Sequence, residues 1–108
     1  MARKKVVVGF DAVEFFKNLT ESAKDWDTEL DAIFQFTIDD KHWYIHPIEK
    51  KVVEGISNVQ SFVMACDNET FGEFVTGSID LLHALKTGRM KIHGHCVGFI
   101  KVIELICG

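Results

Sequence analysis

From Cys96 to Cys107 the chain carries only two charged side chains, Lys101 and Glu104, and is otherwise almost wholly apolar. An ordinary surface helix turns a stripe of about 100° toward the core. A helix built from this segment must turn most of its circumference away from water. At about 1.5 Å per residue it would span about 18 Å, well short of a bilayer's hydrocarbon core. Its neighbours are therefore sheet, other helices, a second copy of the chain or an apolar ligand.

The chain around it has 108 residues with nine Phe and a single Pro. That length supports one domain with one core, so residues 1–108 read as a single domain. Disorder, collagen and low-complexity classes are excluded by this composition. The net charge is −4, which argues against a general nucleic-acid-binding surface. Residues 11–40 hold nine of the acids against only Lys17 and Lys24, the pattern of a solvated helix face and loop. The apolar run Val6-Val7-Val8 is too short for a signal-peptide core, and no stretch approaches the roughly 20 apolar residues of a membrane span. Cys66, Cys96 and Cys107 are odd in number and lack C-x-x-C spacing. They read as reduced, buried thiols, and the expected compartment is the cytoplasm.

Local periodicity predicts the elements. Asp11 precedes an apolar stripe at Ala12, Phe15, Phe16, Leu19, Ala23 and Trp26, which predicts a capped amphipathic helix over 12–26. Phe34, Phe36 and Ile38 alternate with polar residues, Asp39-Asp40 marks a turn, and His42 to His46 resumes extended structure before Pro47. Further strands are predicted over 52–56 and 59–66. Short links between these four favour an antiparallel meander. Asn68 and Ser78 are the expected caps of two short helices, 69–76 and 79–86, stopped by Gly77 and Gly88. A fifth strand over 89–93 alternates cleanly, and the apolar helix follows over 95–107.

Several of these features together resemble the sterol carrier protein 2 family of lipid-binding domains. Trp43-Tyr44-Ile45 is similar to the family's tryptophan-led strand, and Phe62 to Cys66 leads into Phe71, Thr76-Gly77 and Ala84 at the family's spacing. Gly88-Arg89-Met90-Lys91-Ile92-His93-Gly94 resembles the family's G-K-L-K-I-x-G signature. The pattern fits without a gap from Gln60 to Gly94 and more weakly from about Phe34 to the C-terminus. The resemblance implies an α+β fold, with a five-stranded, mostly antiparallel sheet, helices packed on one face and an apolar tunnel between them. It also implies binding and transfer of a fatty acid, acyl-CoA, sterol or isoprenoid. The chain departs from the family at Gln60-Ser61, at Asp80-Leu81 in place of Asn-Pro, and at His46 in place of an Asp.

On that reading strand parity gives the tunnel lining. Trp43, Ile45, Phe62, Met64, Met90 and Ile92 are the expected strand positions. Phe71, Phe74, Val75, Leu82 and Leu85 are expected from the middle helices, and Phe99, Ile103 and Ile106 from the last. The plain alternative is a filled core in a homodimeric interaction domain, or in an accessory domain of a lipid- or quinone-pathway enzyme. The expected partners are accordingly a lipid or other apolar small molecule, with a second copy of the chain or such an enzyme beside it.

No catalytic residue, metal or cofactor is expected. G-x-S-x-G, Walker and G-x-G-x-x-G motifs are absent. His93, His95 and Cys96 straddle Gly94, and His42 and His46 share one side of a strand. Zinc needs three or four converging donors, and polar residues on an exposed sheet face are the simpler reading. Asp39-Asp40 reads as a turn rather than a carboxylate pair. Cys96 beside His95 reads as a buried thiol rather than an activated one. Arg89 and Lys91 read as solubilising charges of the sheet.

Overall fold

The computed structural model describes residues 9–94 and 98–107. Asp11 opens α1 (Ala12–Ala23), its side chain accepting the Val13 N–H at 3.0 Å. The helix ends three residues earlier than its apolar stripe suggests. Trp26 is nevertheless buried, its N–H donating to the Ala23 carbonyl at 3.1 Å. A single buried side chain can therefore extend a helical pattern beyond the helix that carries it.

β1 (Phe34–Ile38) and β2 (Lys41–His46) form the expected hairpin, with Asp39 at φ +58° in its turn. β3 (Lys51–Glu54) pairs antiparallel with β2, Trp43 facing Glu54 and Ile45 facing Val52. The meander stops there. β4 (Phe62–Cys66) lies beside β1 and parallel to it, with Phe34 opposite Phe62 and Phe36 opposite Met64. β5 (Met90–Gly94) completes the sheet antiparallel to β4, giving the order β3-β2-β1-β4-β5. Three of the four pairings are antiparallel, so the sheet is mixed but mostly antiparallel.

The correction to the meander has a physical cause in residues 55–61. Val59 to Ser61, expected as strand, instead belong to an exposed crossover. Strands lie about 4.8 Å apart, so passing from β3 to the far side of β1 covers roughly 14 Å. Seven extended residues reach that far easily. Gln35 holds the crossover down on the sheet face away from the helices. Its Nε2 donates to the carbonyls of Trp43 and Gly55 at 3.1 Å each, and its Oε1 accepts the Ser57 N–H at 2.9 Å. Gln35 is itself buried. Gln35→Ala strands these backbone groups, at about 1–3 kcal/mol for a buried polar group left without its partner. We expect urea denaturation to show a loss of about 2–3 kcal/mol. A change under about 0.5 kcal/mol, the ordinary surface value, would mean that solvent replaces Gln35.

Two short helices join β4 to β5. α2 (Asn68–Val75) is capped by Asp67, whose carboxylate accepts the Thr70 N–H at 2.7 Å. Asn68, expected as the cap, has another task. Its Nδ2 donates to the Phe10 carbonyl at 2.8 Å and its Oδ1 accepts the Ala12 N–H at 2.9 Å, tying α2 to the entrance of α1. Gly77, at φ +84°, ends that helix in a conformation that suits glycine. α3 (Leu81–Lys86) is capped by Asp80 rather than Ser78, and is correspondingly shorter than expected. The last helix, α4, is described over Phe99–Cys107. Its expected beginning at His95 to Val97 lies outside the described residues.

Thr70, through its side chain first and its backbone second, holds the Asp67 carboxyl below the ordinary aspartate range. A lowered folded-state value means that this contribution is complete above the unfolded value near pH 4 and is lost as pH falls through the folded one. Asp67→Ala is expected to cost about 1 kcal/mol at neutral pH. The gap between variant and wild type should narrow below about pH 4. Denaturant titrations at both pH values check it; a gap that does not move with pH would remove the carboxylate from the explanation.

Candidate functional site

One face of the sheet carries almost all its large apolar side chains. Strand register puts Phe34, Phe36, Trp43, Ile45, Phe62, Met64, Met90 and Ile92 on that face together. The helices cover it. Phe16 of α1 stacks on Trp43 with ring centroids 4.5 Å apart and planes 12° from parallel. Phe71 of α2 stacks in turn on Phe16 at 5.5 Å and meets the edge of Phe36 at 6.2 Å. Phe99 of α4 sits over Phe62 at 4.4 Å. An aromatic stack under α1 and α2 thus adjoins an aliphatic and aromatic layer under α4.

The fourteen expected lining positions fall into three groups. Trp43, Ile45, Phe62, Met64, Phe71, Phe74, Met90, Phe99 and Ile106 are buried. Val75, Ile92 and Ile103 are half-buried against the same core. Leu82 and Leu85 face outward, 65% and 37% exposed. The reason lies in the phase of α3: Leu81 and Ala84, three residues apart, turn inward, and Ala84 is fully buried. Leu82 and Leu85 are each one step further round the helix.

Phe16, Phe34, Phe36 and Val102 belong to the same buried layer and were not among the expected lining. Alternation in β1 and the stripe of α1 already contained three of them. Val102 was hidden because an almost uniformly apolar helix has no visible phase. The structure supplies one: Phe99, Val102 and Ile106 face the core, while Ile100 is 63% exposed.

A cleft of about 680 Å³ opens beside this layer, between residues 27–30 and α4. Leu30 and Leu105 form its apolar part, with Asp27, Glu29, Lys101 and Glu104 around them. Leu30 also packs where α4 begins. A Cβ on Gly98 would stand 2.7 Å from its Cδ2, which the end of that side chain can yield, but Gly98 has φ +86°, so the backbone calls for glycine. A smaller groove of about 310 Å³ lies between α1 and β3, with Phe16, Trp43 and Val52 at its floor and Lys17 and Glu54 at its rim.

The polar candidates are engaged elsewhere. Arg89, expected as a solubilising charge, forms a 2.8 Å ion pair with Glu73 of α2. Burial, then the neighbouring Asp67 and Asp39, push the Cys66 thiol up to about 12, which keeps it protonated and a poor nucleophile. The His42 ring lies 3.0 Å from the Thr37 hydroxyl, and His46 lies between Asp31 and Glu49. Among the described residues no group of three or more His, Cys, Asp and Glu is placed to hold a metal. Of the thiols expected to be buried, Cys66 is only half-buried and Cys107, near the end of α4, is exposed; His95 and Cys96 lie outside the described residues. No helix among the described residues is long and apolar enough to cross a membrane.

Fold and site together define a small α+β domain with an apolar layer enclosed between one sheet and its helices. The sequence matches the SCP-2 sterol transfer family over residues 14–105, and the chain belongs to that family. Comparison with curated proteins gave no match. Solved structures share the fold. The sterol carrier protein domain 2 of Helicoverpa armigera aligns with a TM-score of 0.73 at 18% identity, covering 99% of this chain and 96% of its own. Sterol carrier protein 2 from Aedes aegypti, solved in complex with the C16 fatty acid palmitate, gives 0.71 at 16% identity over 86% and 91%. The sec-alkylsulfatase Pisa1 from Pseudomonas sp. contains a similar unit: TM-score 0.71, 14% identity, 94% of this chain but 17% of that one.

Proposed function

We propose that this chain binds and transfers a lipid-like ligand, a fatty acid, acyl-CoA, sterol or isoprenoid, and catalyses no reaction on it. The observation that carries this reading is the apolar core to which β4, β5 and α4 all contribute, in a chain of the sterol transfer family. The acyl chain lies among Phe62, Met64, Ile92, Phe99, Ile103 and Ile106, in a tunnel reached through the cleft at Leu30 and Leu105. Palmitate in the Aedes aegypti protein supports the choice of an acyl chain.

Burial alone supplies the affinity. Each methylene removed from water contributes about 0.8 kcal/mol, so ten contribute roughly 8 kcal/mol before losses of ligand freedom. Free Cys66 and Cys107 fit a reducing compartment such as the cytoplasm. A lipid-pathway enzyme is the proposed recipient, in keeping with the occurrence of a similar unit inside the alkylsulfatase chain. A second copy of the chain is the other candidate partner, and light scattering at micromolar concentration separates the two. Native mass spectrometry after purification from cells, with titration by a fluorescent fatty acid, tests the main reading. Co-purifying lipid and saturable binding are expected. Protein without lipid that also fails to bind the probe would end it.

A further inference from the structure

Among the described residues seven large apolar side chains are exposed. Val13, Ile48 and Ile100 each have a carboxylate next to them or one turn on, from Glu14, Glu49 and Glu104. Ile56 and Val59 belong to the uncharged crossover 55–61. Leu82 and Leu85 of α3 differ from all five. From Leu81 to Gly94 the chain carries Lys86, Arg89 and Lys91 and no acid, against a net charge of −4 for the whole. Arg89 is taken up by Glu73, whereas neither Lys86 nor Lys91 has a carboxylate at ion-pair distance among the described residues. Asp80, the acid before this run, is turned back onto the His83 N–H that it caps at 2.8 Å.

The phase of α3 brings the exposed leucines and the free cation together. Leu81 and fully buried Ala84 face the core, and the helix packs on α2 and β5. At about 100° per residue the opposite side is centred on Leu82 and Lys86, which are four apart and so neighbours on the helix surface. Leu85 lies on the flank of the same face, three residues from Leu82. With Leu82 65% and Leu85 37% exposed, an apolar ridge stands out beside a cation. A lysine stem lies along apolar contacts while its ammonium reaches a polar partner. Apolar tips with an adjoining cation suit the boundary between acyl chains and anionic headgroups.

We propose that this face of α3 docks the protein on an anionic phospholipid surface, with Leu82 and Leu85 entering the acyl boundary and Lys86 meeting the headgroups. Two leucines and one cation make a brief contact, since even a whole myristoyl chain binds a bilayer only reversibly. A carrier that must leave with its cargo needs contacts of that lifetime. The choice of a membrane over an acidic protein rests on the lipid-carrier reading above, but the face itself stands apart from the proposed acyl path.

Co-sedimentation of the purified chain with vesicles tests it without any cargo. Binding is expected to vesicles of phosphatidylcholine and phosphatidylserine at about two to one, with little to phosphatidylcholine alone. Salt at about 1 M, where the screening length is about 3 Å, should release it. Leu82→Ser should weaken binding by about tenfold and Lys86→Gln by about fivefold. Both side chains are exposed, so circular dichroism should not change. Leu82→Trp should shift its emission to the blue on the anionic vesicles and be quenched by brominated acyl chains, with buried Trp26 and Trp43 as background. Three results overturn the proposal: no binding to anionic vesicles, as for a face that meets an acidic protein; binding that Leu82→Ser or Lys86→Gln leaves unaltered; or emission from Leu82→Trp that neither shifts nor quenches. Titration with a fluorescent fatty acid keeps the two readings apart. Vesicle binding without cargo binding ends the carrier reading and leaves the docking face; cargo binding without vesicle binding does the reverse. Where both occur, Leu82→Ser should slow delivery of cargo to anionic vesicles at unchanged affinity for it.

Discussion

Phe71→Ala is expected to lower the unfolding free energy by about 3–5 kcal/mol, the range for deleting a buried aromatic side chain. Phe71 is fully buried and touches the rings of Phe10, Phe15, Phe16 and Phe36. It links α2, α1 and β1 at one point, so the cavity cannot close by moving a single element. Domains of this size have about 5–15 kcal/mol in all. The variant should therefore unfold at a much lower urea concentration, with an unchanged denaturant slope if it remains two-state. A loss below about 1.5 kcal/mol, the cost of a volume-conserving swap, would show that the aromatic stack is loosely packed.

Enlarging α4 at Ile103 is expected to abolish most lipid binding while sparing the fold. Ile103 is half-buried, so a Trp there has room to turn partly outward while its bulk enters the proposed acyl path. We expect Ile103→Trp to weaken binding of a fluorescent fatty acid by at least about tenfold, or about 1.4 kcal/mol. The thermal midpoint should move by only a few degrees, as for about 1 kcal/mol in a domain of this length. Leu82→Ser serves as the contrast. Leu82 was an expected lining residue, but it faces solvent on α3, and its loss should leave the affinity unchanged within error. Equal binding by wild type and Ile103→Trp would place the ligand away from α4.

What local sequence revealed and what it concealed divide along a physical line. Alternation in Phe34–Ile38 and Met90–Gly94 marked strands because apolar residues take one face and mostly polar ones the other. The α1 stripe marked a helix for the same reason at the other period. Pairing is a different matter. Nothing within Phe62–Cys66 says that its neighbour is Phe34–Ile38 rather than Lys51–Glu54; that choice is made by the crossover and by Gln35, a polar residue whose burial no periodicity discloses. The α4 segment shows the opposite failure. Its composition announced burial, and Phe99 and Ile106 face inward as expected, yet uniform apolarity concealed that Val102 does too. At α3, capping by Asp80 instead of Ser78 shortened the helix, and its inward side is Leu81 and Ala84 instead of Leu82 and Leu85. The family resemblance carried the arrangement of the sheet further than pattern alone did, since it encodes pairings that a single sequence leaves unstated.

The parallel contact between β1 and β4 also orders events in time. Hairpins such as β1–β2 close in about 1–10 μs because their partners are adjacent in the chain. β4 must wait for β3 and the whole crossover before it can find β1, and only then does β5 have an edge to join. Pairings between distant segments slow folding because chain entropy is lost before any contact compensates for it. The floor of the proposed lipid site is thus assembled across a seam that closes late. A nascent chain would present Phe34, Phe36 and Trp43 to solvent through that interval, with α1 the one helix among the described residues already synthesised to shield them.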